Sequence, residues 1–70
     1  MMLNVFIFGT GELYKKNRER IRNDINIIGF LDNDKNKQEK ILDGKSVYSP
    51  DVVKNFKYDF IFIMCFYFIV

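Results

Sequence analysis

Val5-Phe6-Ile7-Phe8-Gly9-Thr10-Gly11-Glu12 is an apolar run that breaks into a Gly-x-Gly turn and leads into a polar, Arg-rich segment. The run from Leu3 to Phe8 is mostly β-branched or aromatic, which suits a strand covered on both faces, as in a parallel sheet. About twenty residues later a second apolar run, Ile25 to Leu31, ends at Asp32. That is the layout of a βαβ unit in which glycines let backbone N–H groups approach a phosphate and the acidic residue meets a ribose.

The rest of the chain extends this pattern. Glu12 to Asn23 reads as a weak helix: Leu13, Tyr14 and Ile21 can share a face, Asn17 interrupts it, and Arg18, Arg20 and Arg22 form a solvated side. Gly29, inside the second strand, allows close packing or a bulge. Asp32 to Lys40 is polar and Asn-rich, an exposed loop, and Asp43-Gly44 marks a tight turn before a short edge strand, Ser46 to Tyr48. Ser49-Pro50-Asp51 has the chemistry of a helix start, with Ser as cap and Pro at the first helical position. Val52, Val53 and Phe56 then give an apolar stripe ending near Lys57, and Phe60 to Cys65 reads as another buried strand. Right-handed crossovers put the first strand in the middle, with the second on one side and Phe60–Cys65 on the other. The expected fold is a small three-layer α/β domain, a Rossmann-like parallel sheet of three main strands plus a short edge strand, with two helices. Its ligand crevice lies at the C-terminal strand ends, where Gly9–Glu12, Asp32 and Cys65–Phe66 converge.

Composition narrows the chemistry. Seventy residues make one small domain, of marginal stability without a partner. Half of them (49%) are hydrophobic, with nine Ile and eight Phe to feed a core. Histidine is absent, so there is no imidazole base or ligand. The net charge of +2 is too balanced to argue for nucleic acid. The single cysteine, Cys65, makes neither an internal disulfide nor a zinc site and reads as strand packing. The opening lacks the basic region of a signal peptide, and the uncharged stretch Phe60 to Val70 is shorter than the ~20 residues of a transmembrane helix. A cytoplasmic location is the expectation.

The candidate site residues are Gly9, Thr10, Gly11, Glu12, Asp32 and Asn33. Gly9 and Gly11 fill the first two positions of Gly-x-Gly-x-x-Gly, but Tyr14 replaces the third, which argues against the standard dinucleotide geometry. Glu12 opposes a pyrophosphate at the helix mouth and suits a ribose or sugar hydroxyl instead. A purely structural turn is the alternative, as loop capping is for Asp32. Asp32, Asp34 and Asn36 share the spacing of a calcium loop, but Lys37 stands where that loop needs glycine and Asp43 where it needs a bidentate Glu. Gly44-Lys45-Ser46 looks like the end of a Walker loop, but Glu39 stands at the position of its first glycine. No metal site and no catalytic residue is expected.

Gly9-Thr10-Gly11, Ile28-Gly29-Phe30-Leu31-Asp32-Asn33-Asp34, Asp43-Gly44-Lys45-Ser46-Val47-Tyr48-Ser49-Pro50 and Tyr58-Asp59-Phe60-Ile61-Phe62-Ile63 form one pattern. It resembles the Rossmann-like N-terminal domain of bacterial surface-glycan enzymes: sugar-nucleotide dehydratases, sugar acyltransferases and sugar transferases of capsule and lipopolysaccharide polysaccharide biosynthesis. The resemblance implies a nucleotide- or nucleotide-sugar-binding module whose catalytic residues lie in later segments. It implies that Gly9, Thr10 and Gly11 face the phosphates, and Asp32 with Asn33 the ribose or base. A UDP-sugar is the favoured ligand, with NAD, coenzyme A and S-adenosylmethionine open beside it. Such domains continue past the strand matched by Phe60–Cys65, so the expectation is a truncated first half of a larger protein. The apolar 60–70 edge would then meet the missing part or a second copy in a homo-oligomer, such as a dimer. A self-associating scaffold without ligand is the alternative function.

Overall fold

A computed structural model describes residues 2–64. The expectations for Cys65 and the apolar tail beyond it lie outside the described residues.

The elements run β1 (Leu3–Phe8), α1 (Glu12–Asn17), a 3-10 turn (Arg18–Arg20), β2 (Ile25–Leu31), β3 (Ile41–Leu42), β4 (Lys45–Tyr48), a 3-10 helix (Pro50–Asn55) and β5 (Phe60–Ile63). They form one sheet in the order β3-β4-β2-β1-β5. β1 pairs in parallel with both β2 and β5, β2 in parallel with β4, and β3 antiparallel with β4. β1 lies between β2 and β5, so the chain crosses from one side of it to the other, the order that the crossover argument expects.

A bulge sets which residues of β2 face which layer. Val5 pairs with Ile27 but Phe6 with Gly29, so Ile28 is an extra residue. Side chains alternate along a strand, and one inserted residue reverses the alternation. Ile25 and Ile27 before the bulge and Phe30 after it therefore pack into one cluster with Val5, Ile7, Tyr14 and Val47, under α1. Phe6 points to the opposite face, where its ring meets Phe56, Tyr58 and Tyr48 edge-on at centroid distances of 5.5, 5.7 and 6.3 Å. Gly29 lies beneath that aromatic layer: a Cβ there would stand 2.7 Å from the Tyr48 ring and 3.2 Å from Phe6. Both expected uses of Gly29, the bulge and the close approach, occur together.

Three expectations are corrected. The helix expected over Glu12 to Asn23 stops at Asn17, whose side-chain amide donates to the Leu13 carbonyl (2.8 Å) and so competes with the helix backbone. Ile21 is already extended, with ψ 131°. The expected helix after Ser49 is a six-residue 3-10 helix, and Ser49 makes no side-chain cap to it; its hydroxyl donates to the Asp51 carboxylate instead. Val52 and Val53 are poor helix formers, and so short a segment gains little from propagation. The strand expected at Ser46 to Tyr48 exists but is not the edge, because β3 pairs outside it. The hairpin turn between them is Asp43-Gly44, with φ of 49° and 80°, the two left-handed positions of a type I′ turn. β3 escapes a sequence reading because two residues, one of them exposed, carry no periodicity.

Candidate functional site

The C-terminal ends of β1, β2 and β5 lie side by side. The Gly9 N–H donates to the Leu31 carbonyl (2.8 Å), the Met64 N–H to Phe8 (2.8 Å), and the Asp32 N–H to Tyr48 at the end of β4 (3.0 Å). Since β2 and β5 lie on opposite sides of β1, this is where the direction of chain crossing reverses.

Two glycines shape the turn for different reasons. Gly9 has φ 117° and is buried, a conformation L side chains rarely adopt. Gly11 has φ −95°, and a Cβ added there would meet nothing within 4 Å. The protein's own packing therefore does not demand glycine at 11; what its absent side chain leaves is an unobstructed approach to the backbone. Thr10, between them, donates its hydroxyl to Asp32 Oδ2 at 2.8 Å. The structure thus brings Gly9–Gly11 and Asp32 together. Glu12 is exposed in the first turn of α1, and Asn33 is exposed beside Asp32.

Asp32 also caps its own loop. Its Oδ1 accepts the Asp34 N–H (2.9 Å), Asp34 Oδ1 in turn accepts the Asn36 N–H (2.9 Å), and Gln38 donates its amide to the Asp32 carbonyl (2.8 Å). Both readings of Asp32 are physically compatible. A carboxylate oxygen has two lone pairs, so each oxygen of Asp32 keeps one for a ligand hydroxyl after meeting Thr10 or Asp34. The Asp32-x-Asp34-x-Asn36 spacing is occupied by successive turns. Among the described residues no three potential ligands are gathered for a metal.

Tyr14 stands where a dinucleotide fingerprint has its third glycine, and the structure shows what it does there. It is 3% exposed, edge-on to Phe30 at 4.8 Å, and donates its hydroxyl to Asp43 Oδ2 at 2.6 Å. Arg18 meets the same carboxylate at 3.1 Å. Burial, reinforced by the Asp43 carboxylate, pushes the Tyr14 phenol up to about 12. The hydrogen bond from Tyr14, with help from Arg18, holds Asp43 below the usual carboxylate range. The signs are opposite. Tyr14 stabilises the fold fully below its ordinary pKa of 10.0, and that contribution is lost as pH climbs towards about 12. The Asp43 contribution is present above the usual carboxylate range and is lost on acidification. Tyr14→Phe is expected to cost about 1–2 kcal/mol at neutral pH, measured by urea unfolding. Its difference from the parent should shrink as pH rises through the phenol's titration; a difference independent of pH would contradict this role.

Among the described residues, two clefts of about 410 and 370 Å³ contain none of the residues Gly9–Glu12 or Asp32. A smaller one, about 190 Å³, includes Thr10 together with Lys15, Lys37 and Lys40. The sequence reading missed these lysines. No periodicity brings Lys37 and Lys40 to Lys15; the turns after Asp32, including Glu39 at φ 66°, do.

A family profile described as C2185-like, N-terminal, matches residues 1–69. The chain belongs to this family. Among solved structures, this C2185-like domain is similar to a UDP-D-quinovosamine 4-dehydrogenase from Vibrio fischeri, with 24% identity and a TM-score of 0.63. The match covers 79% of this chain and 47% of that one, so the domain spans about half the length of that enzyme. The likeness carries the fold: the C2185-like domain has the expected small, mostly parallel Rossmann-like sheet. No curated protein sequence matches it. Among the described residues no helix is long and apolar enough to cross a membrane.

Proposed function

We propose that the C2185-like domain is the nucleotide-holding part of a sugar-nucleotide enzyme, with a UDP-sugar as ligand and the catalytic groups outside these residues. The observation that carries it is the Thr10–Asp32 hydrogen bond at the crossing point of the sheet, beside a glycine at position 11 that packing does not require. In this reading the Gly9–Gly11 backbone faces the phosphates, Asp32 accepts ribose hydroxyls, and Asn33 meets the ribose or base. Glu12, exposed at the start of α1, takes a sugar or ribose hydroxyl. The name of the structural neighbour, an enzyme of a UDP-linked amino sugar, supports the choice of ligand class. Calorimetric titration with a UDP-sugar, NAD, coenzyme A and S-adenosylmethionine tests it. A UDP-sugar should bind tightest; preference for one of the other three would replace the ligand, and binding of none would remove the function.

A second reading rests on β5. Among the described residues it pairs only with β1, and Phe60 and Ile63 are 51% and 52% exposed. No charge or proline blunts this edge strand, which makes it a template for strand pairing with a second copy or with further chain. A self-associating scaffold would sediment as a dimer or larger at micromolar concentration; a monomer under those conditions removes that reading.

A further inference from the structure

We infer that the cleft between α1 and the 32–40 loop is the diphosphate subsite, with Lys15, Lys37 and Lys40 supplying the charge. This rests on the nucleotide reading above and adds to it which groups neutralise the ligand.

A nucleoside diphosphate needs positive charge near its phosphates, and the glycine turn supplies little. α1 has only six residues, so the aligned peptide dipoles behind the turn are few, and the Glu12 carboxylate stands in its first turn. The compensating charge lies next door. Lys15 comes from α1 and Lys37 and Lys40 from the loop, and all three line one cleft with Thr10 over apolar Ile41 and Val47. No carboxylate lines that cleft. The ion pairs among the described residues, Arg18–Asp43 and Arg22–Asp24, include none of the three lysines, although the Lys15 charge helps to hold the nearby Asp43 carboxyl low. Three lysines lining one small cleft carry like charges that an entering anion would offset.

Size and connection fix the part of the ligand. At about 190 Å³ the cleft is smaller than the ~300 Å³ at which pockets for whole small ligands begin. It holds a diphosphate and leaves the nucleoside outside. Thr10 is common to both places: it lines the cleft and donates to Asp32. A nucleotide with its ribose at Asp32 thus passes Thr10 on the way to the lysines.

The test titrates the full chain with inorganic pyrophosphate and, separately, with uridine, following backbone amides by NMR. The comparison is K15Q/K37Q/K40Q, three exposed positions whose neutral replacements leave the core untouched. Pyrophosphate should move the amides around Lys15, Lys37 and Lys40, bind the variant at least about tenfold more weakly, and lose affinity with added salt in the parent more than in the variant. Equal pyrophosphate affinity in parent and variant, or shifts confined to other residues, overturns the subsite. Uridine separates the two ideas. Uridine shifts at Asp32 with lysines that ignore pyrophosphate would leave the nucleotide reading standing and remove the subsite. Pyrophosphate bound at the lysines, with Asp32 silent to uridine, would do the reverse.

Discussion

Phe6→Ala is expected to abolish cooperative folding of the C2185-like domain. Phe6 is fully buried in β1, between β2 and β5, and is the side chain on which Phe56, Tyr58 and Tyr48 converge. On the face of the sheet opposite α1, the cover is a six-residue 3-10 helix and the approach to β5, neither of which is stable without a surface to pack against. Truncating a buried Phe costs about 3–5 kcal/mol. A domain of this size has roughly 4–10 kcal/mol in total, and one with so small a core sits near the lower end, where the loss takes most or all of it. Thermal unfolding followed by circular dichroism should show a broad, non-cooperative change. Phe56→Ala, which trims a ring that is 42% exposed, should keep a sharp transition at a lower temperature. A Phe6→Ala protein that unfolds cooperatively close to the parent would show that the aromatic layer contributes little.

Asp32→Ala is expected to weaken nucleotide binding by about 10–100-fold, the equivalent of one hydrogen bond to a charged group. The substitution removes the proposed acceptor for ribose hydroxyls and also releases Thr10 and the Asp34 N–H. Two further variants separate these effects. Asp32→Asn keeps an oxygen for the Asp34 N–H but loses the charge, so its loop should hold while its affinity falls. Thr10→Val breaks only the hydroxyl tie and should cost less affinity than either. Unchanged affinity for every nucleotide in a folded Asp32→Ala protein would make Asp32 a loop cap and nothing more.

The strands and their order were legible because long apolar runs leave few choices. Leu3–Phe8 and Ile25–Leu31 are recovered to the residue, and handedness then places Phe60–Ile63 on the far side of β1. The glycine turn and Asp32 were also legible as neighbours, since the βαβ layout brings the ends of adjacent parallel strands together. The helices were not. Their ends are set by local competition, such as the Asn17 amide on the Leu13 carbonyl, which propensity does not resolve. β3 was hidden because a two-residue strand is defined by its partner, β4, and by the Asp43-Gly44 turn. Tyr14 was read as an obstacle to a dinucleotide and is in the structure a tie: it anchors α1 to that same turn through Asp43. The three lysines were invisible because they converge through loop geometry.

The most direct test is an amide-correlation NMR titration of the chain with UDP-N-acetylglucosamine. The account predicts a dispersed spectrum in which shifts cluster at Gly9, Thr10, Gly11, Asp32 and Asn33 and spare the Asp24–Asn26 end of the sheet. A dispersed spectrum that the UDP-sugar leaves unmoved at those five residues would contradict it.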